Sequence, residues 1–146
     1  MTAVVETAEL AERLRPVVTD LTLLLRREAA LPELSQSQLT VLGALARHGP
    51  ARITTLAADA HVRQPSMTTL VNRLQRAGCV RRVPDADDQR AVRVALTPQG
   101  RALVDRAIAA RTATLAGRLD RLRASDRAAI AAAIPALTRL ISEDTD

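Results

Sequence analysis

Residues 63–101 read RQPSMTTLVNRLQRAGCVRRVPDADDQRAVRVALTPQGR, and this stretch decides the fold. It holds eight arginines (63, 73, 76, 81, 82, 90, 93 and 101) against three acids (85, 87 and 88), a net charge of +5. The other residues carry thirteen arginines and thirteen acids, so the whole net charge of the chain lies in one contiguous segment. Charge segregated in this way suits a surface that binds nucleic acid, whereas a merely solvated face mixes both signs. Pro65 supplies the fixed φ tolerated at a helix start, and Met67, Leu70, Val71 and Leu74 repeat at helical spacing until Gly78. The opposite face carries Pro65, Ser66, Thr69, Asn72, Arg73 and Arg76 without an acid. Hydroxyl, amide and guanidinium groups of this kind read base edges and phosphates in a major groove. After Gly78, CVRRV and VRVAL are predicted strands, the second with Val92, Val94 and Leu96 inward and Arg93 outward. The segment PDADDQRA between them is a charged turn.

Upstream, TTLAADA is a predicted short helix capped by Thr54, with Ile53, Leu56, Ala57 and Ala60 inward, and His61–Gln64 is a turn into the basic helix. Two short helices joined by about four residues, the second polar and basic outside, form a helix-turn-helix. The turn lacks a glycine. Before it, Leu34–Gly49 is punctuated as a helix: Ser35 as N-cap, Gln38 completing a capping box, Leu34 and Leu39 as a hydrophobic staple, Gly49 and Pro50 as the stop. Leu39, Leu42 and Leu45 form its core face.

The ends of the chain are helical by pattern. From Ala8 to about Ala30, Leu10, Leu14, Val17, Val18, Leu21, Leu24 and Leu25 make a stripe of about four turns, bent at Pro16, that has no evident partner within so small a lobe and so suits another subunit. Thr97 and Pro98 open a helix to about Leu122, with Val104, Ile108, Leu115, Leu119 and Leu122 on one side. Ser125 caps a last helix in which Ile130, Ile134, Leu137 and Ile141 align and Pro135 introduces a kink. The predicted class is mainly α with a small β-ribbon. It is a winged helix-turn-helix over 34–97, between an N-terminal dimerisation helix in 1–33 and C-terminal dimerisation helices in 98–146.

Composition narrows the function. With 146 residues the chain makes one domain with helical extensions, and its core draws on Leu, Val, Ile and Ala because Phe, Trp and Tyr are absent. No aromatic platform is available to stack single-stranded bases. All 21 basic residues are arginine. The start, MTAVVETAELAERL, lacks the pattern of a signal peptide, and the longest apolar run, Ala128–Leu137, falls well short of the roughly 20 residues that span a bilayer, so a cytoplasmic protein without a membrane partner is expected. Cys79 cannot form an intramolecular disulfide and stands where a buried aliphatic fits, so a packed thiol is expected rather than an oxidant sensor. His48 and His61 match no metal-ligand spacing, and Asp85, Asp87 and Asp88 suit turn and ion-pair roles. No catalytic residue, metal or cofactor is expected.

The chain resembles the MarR family of winged-helix regulators over nearly its whole length. The resemblance rests on LAADAHVRQPSMTTLVNRLQRAG with its closing Leu-x-x-x-Gly, on Asp88-Gln89-Arg90 as an Asp-x-Arg wing motif, and on Leu96-Thr97-Pro98-Gln99-Gly100 as the Leu-Thr-x-x-Gly that opens a dimer helix. It implies a homodimer, with Leu14, Leu21, Ile134 and Ile141 among its contacts, that sets two winged helices on a palindromic operator in double-stranded DNA. Recognition falls on Ser66, Thr69, Asn72 and Arg73, with Arg63, Gln64, Thr68 and Arg76 beside them. Arg90 is implied as the minor-groove residue of the wing and Asp88 as the group that ion-pairs a neighbouring arginine. Many members are repressors released by a small ligand held between the dimer region and the DNA-binding lobe; without aromatic side chains, such a site here cannot stack on a ring. The alternative reading is a helical homodimer that uses the same fold for protein contacts without binding DNA.

Overall fold

The computed structural model describes residues 6–28, 31–88 and 90–142. The elements run α1 (Thr7–Glu28), α2 (Gln36–His48), α3 (Ile53–Asp59), α4 (Gln64–Arg76), β1 (Val80–Pro84), β2 (Val92–Leu96), α5 (Pro98–Leu119) and α6 (Ala124–Ile141). The chain is thus mainly helical with one antiparallel ribbon, as the sequence predicts. It divides into two compact units, Met1–Arg111 and Thr112–Asp146, with the boundary inside α5. The predicted end of the first helix near Ala30, and Gln89 of the wing motif, lie outside the described residues.

The first unit is built around α2. The Gln38 amide donates to Ser35 Oγ at 3.2 Å and the Ser35 amide donates to Gln38 Oε1 at 2.8 Å, so the capping box is closed in both directions. Leu34 and Leu39, on either side of that box, are both buried. At the other end Gly49 takes φ +80° and donates to the Leu45 carbonyl. Leu39, Leu42 and Leu45 of α2 then pack with Leu56 of α3, with Met67, Val71 and Leu74 of α4, with Val80 and Val94 of the ribbon, and with Leu103, Val104 and Ala107 of α5. Aliphatic side chains fill this core without an aromatic residue.

The connection from α3 to α4 lacks glycine, and His61 takes φ +52° in its place. Its amide donates to the Ala58 carbonyl, and the Val62 amide to Ala57, so the turn's polar backbone stays paired. Left-handed backbone is uncommon for residues other than glycine, although histidine is among the enriched exceptions.

The ribbon pairs Val80 with Leu96 through Pro84 with Val92, and Ala51 adds one further bridge to Val94. Clean alternation along β2 fails at its outer end. Val94 and Ala95 are both buried while Val92 is 47% exposed, because Val92 lies opposite Pro84 at the open tip, beyond the helices that cover Val94. Arg93 is partly buried rather than outward, because Asp85 and Asp87 draw its guanidinium back along the ribbon.

Two predicted caps are displaced. Arg52, not Thr54, is the N-cap of α3: it is extended, and its carbonyl accepts from the Leu56 amide. Pairing of Ala51 with Val94 holds the preceding backbone extended, and the helix begins two residues after it. Arg123, not Ser125, caps α6, and its guanidinium clasps the Asp126 carboxylate at 3.0 and 3.3 Å. Helix α5 ends at Leu119 instead of Leu122, where Arg127 Nη1 donates to the freed carbonyls of Leu119 and Leu122. Pro16 and Pro135 lie inside α1 and α6, which continue through them.

The motif that opens α5 has a structural task. Thr97 Oγ1 donates to the Gly78 carbonyl and accepts from the Gly100 amide, while Gln99 Nε2 donates to the Ala77 carbonyl at 3.1 Å. Gly78 takes φ +74° just past α4. A Cβ on Gly100 would lie 2.0 Å from the Cys79 carbonyl oxygen, so only glycine allows α5 to approach the end of the basic helix this closely.

Candidate nucleic-acid interface

Burial on one side of α4 determines what the other side presents. Met67, Val71 and Leu74 are buried to within 1%, which leaves Arg63, Gln64, Ser66, Thr69, Arg73 and Arg76 exposed and Thr68 and Asn72 half-buried beside them. Pro65 occupies the first turn, and the helix contains no acid. Thr68 and Thr69 donate their hydroxyl protons back to the carbonyls of Gln64 and Pro65, so each offers oxygen lone pairs and a methyl group outward. Arg63, Arg73 and Arg76 enter no ion pair among the described residues, and their guanidinium groups remain available for phosphate or base acceptors.

The basic helix is tied to the ribbon by Arg82, which sequence reasoning counted only as charge. From β1 its Nη2 donates to Asn72 Oδ1 at 2.8 Å and its Nε to Gln75 Oε1 at 3.0 Å. Nothing local in the sequence signals this contact, since it depends on the ribbon folding back over α4.

The wing is anchored at Asp85, whose side chain is fully buried. Its carboxylate accepts from Arg93 Nε at 2.9 Å, Arg52 Nε at 2.7 Å and the Asp87 amide at 2.9 Å. These three donors, Arg93 first, hold its pKa well below the ordinary carboxylate range. Arg93 also donates to Asp87 at 3.2 Å, which draws its side chain back along the ribbon instead of outward. The contact predicted for Asp88 differs: among the described residues it forms no ion pair, and its Oδ1 accepts from the Arg90 amide at 3.0 Å. Asp85, five residues from Arg90, does the arginine pairing because it lies at the root of the wing, within reach of both α3 and β2. Asp88 at the tip makes a tight turn, closed by the Ala91 amide donating to its carbonyl, and presents Arg90 in solvent. Two of the three wing acids are therefore already engaged by arginine. The signal in the sequence was Pro84-Asp85 followed by a second acid two residues on, a turn-forming pattern, but Arg52 could not be foreseen as its partner.

Cys79 is buried, with its thiol pKa pushed up by desolvation. His48 and His61 are exposed. In α1, Leu14 is half-buried and Leu21 is 44% exposed; in α6, Ile134 and Ile141 are 55% and 82% exposed, and that helix buries no residue. No helix among the described residues is long and apolar enough to cross a membrane.

Against known proteins, the MarR family profile matches residues 34–92, which span α2 to the first residue of β2. An HTH-type transcriptional regulator of Mycobacterium tuberculosis is 36% identical over 136 residues, 93% of this chain and 95% of its own length. The HTH-type transcriptional repressor NicR of Pseudomonas putida is 32% identical over 124 residues, covering 85% of this chain and 78% of its own. Among solved structures, a Pseudomonas aeruginosa protein described as a transcriptional regulator superimposes with a TM-score of 0.81 at 38% identity, over 93% of this chain and 96% of its own. With the winged helix-turn-helix, the acid-free basic helix and these relatives in agreement, the chain belongs to the MarR family and is a DNA-binding transcriptional regulator.

Proposed function

We propose that this regulator is a repressor that binds a palindromic operator as a homodimer and is released by a small anion. The observation that carries the DNA-reading part is the outer face of α4. Ser66, Thr69, Asn72 and Arg73 read bases in the major groove, Arg63, Gln64, Thr68 and Arg76 flank them towards the backbone, and Arg90 enters the adjacent minor groove. Asp88 sets the turn that carries Arg90. NicR, over most of its length a relative, is named a repressor, which supports that sign of regulation.

The homodimer is supported by apolar residues left uncovered: Leu10, Val17, Val18 and Leu21 on α1, and Ile130, Ile134, Leu137, Leu140 and Ile141 on α6. In this reading residues 1–33 and 98–146 form the dimer region and 34–97 the DNA-binding lobe. A two-fold protein requires two related half-sites, hence the palindrome.

Release by an anion is supported by a cleft of about 260 Å³ between α1, α2 and Arg111 of α5. Arg26, Arg47 and Arg111 line it together with Gln36 and Thr40, and among the described residues Arg111 Nε is buried without a hydrogen-bond partner. A buried guanidinium nitrogen left unpaired is costly, and a carboxylate would satisfy it.

Selection of binding sites from a random duplex pool, followed by gel shifts of the selected site at several salt concentrations, tests the reading. An enriched inverted repeat whose binding weakens steeply with salt is the expected result, and enrichment of no sequence refutes it. Titrating small carboxylates into the preformed complex then tests release.

A further inference from the structure

We infer that Arg82 is a positioning residue for base recognition, which turns Asn72 into a hydrogen-bond donor facing a guanine. The inference rests on the proposed entry of α4 into the major groove. A guanidinium has only donors, so its contact at 2.8 Å can be made to Asn72 Oδ1 and not to Nδ2; the orientation of the amide is thereby fixed by chemistry. The guanidinium is itself steadied by Gln75 Oε1 at 3.0 Å, about one helical turn along α4 from Asn72. A free asparagine pairs with adenine by accepting from N6 and donating to N7, which uses both ends of the amide. In Asn72 one of the two lone pairs of the accepting oxygen is already engaged by a cation, whose charge opposes the approach of the N6–H donor of adenine, while both Nδ2 hydrogens remain. Guanine presents two acceptors, N7 and O6, on its major-groove edge, and adenine presents one acceptor and one donor. The engaged amide therefore matches guanine and gives up its advantage at adenine.

The experiment measures binding of the full chain to the selected operator with each base pair varied in turn, for wild type, Arg82→Met, Asn72→Ala and the double variant, with melting curves to verify folding. Asn72→Ala is expected to flatten the preference at one position in each half-site. At that same position Arg82→Met is expected to lower the preference for guanine over adenine about five-fold or more, with other positions unchanged, and the double variant is expected to behave as Asn72→Ala alone. Arg82→Lys retains charge but spans one acceptor rather than two, and is expected to lose part of the same preference; it serves as the second variant if Arg82→Met does not fold. A uniform loss at all positions with a shallower salt dependence would make Arg82 a phosphate contact and overturn the inference. If Asn72→Ala leaves every preference intact, the recognition role of Asn72 itself fails, and that failure is visible without reference to Arg82.

Discussion

Gly100 and Asp85 show how single residues hold the reading surface in place, and each gives a measurable consequence. The space for a Cβ at Gly100 is filled by the Cys79 carbonyl oxygen at 2.0 Å, and backbone cannot move aside as a side-chain tip can. Gly100→Ala is therefore expected to cost about 1 to 3 kcal/mol or more, read as a lower unfolding midpoint in urea. The glycine was legible in the sequence only as part of a family motif; its physical reason lies in a residue 21 positions earlier that no local pattern links to it. Asp85 is a buried anion whose folded pKa is depressed, so it contributes stability above the unfolded-state value near 3.9 and loses it as pH falls through the folded value. Asp85→Asn is expected to lower the melting temperature by an amount that stays constant from neutral pH down to about 4 and shrinks at lower pH. A difference that instead grows on acidification would contradict the clamp.

Between the elements, the helix and the wing are expected to fail in different ways. Arg73 sits on the exposed face of α4 among Ser66, Thr69 and Asn72, where a guanidinium can meet guanine O6 and N7. Arg73→Ala is expected to cost about 1 to 3 kcal/mol on the operator and much less on random duplex. Arg90 leads the wing tip, since Asp85 and Asp87 are held by arginines and Asp88 is bent back onto the Arg90 amide. In a narrow minor groove such a residue reads width and potential more than base identity. Arg90→Ala is expected to weaken operator and random duplex alike and to flatten the salt dependence by about one phosphate per subunit. Titrating both variants on both duplexes checks this, and identical behaviour would remove the distinction. The elements themselves were largely legible because periodicity and caps are local: the box at Ser35 and Gln38 closes as its spacing predicts. Thr54 and Ser125 have the chemistry of caps but stand two residues too late, because Ala51 pairing with Val94 and Arg123 clasping Asp126 decide where the turns begin. Val92 follows the alternation yet lies beyond the layer that could cover it, a matter of how far the helices reach.

For the whole molecule the question is what covers its apolar helices. The net charge lies in residues 63–101, the proposed DNA face, and the other residues sum to zero, so the proposed dimer helices carry no net charge that would oppose their association. Leu21 of α1 and Ile134 of α6 are 44% and 55% exposed, although both are large aliphatics at the spacing of a helix face. Burying each against a second copy is expected to contribute about 1.5 to 3 kcal/mol, and two-fold symmetry repeats every contact. Leu21→Ala combined with Ile134→Ala is therefore expected to shift the dimer towards monomer at micromolar concentration, as measured by sedimentation or light scattering. Because the two reading helices are then no longer joined, operator affinity is expected to fall with the dimer fraction while each lobe keeps its circular dichroism spectrum. A wild-type chain that stays monomeric, folded and soluble on ordinary dilution would exclude the dimer. The same variant bound to the operator as tightly as wild type would show that the two lobes are held together elsewhere.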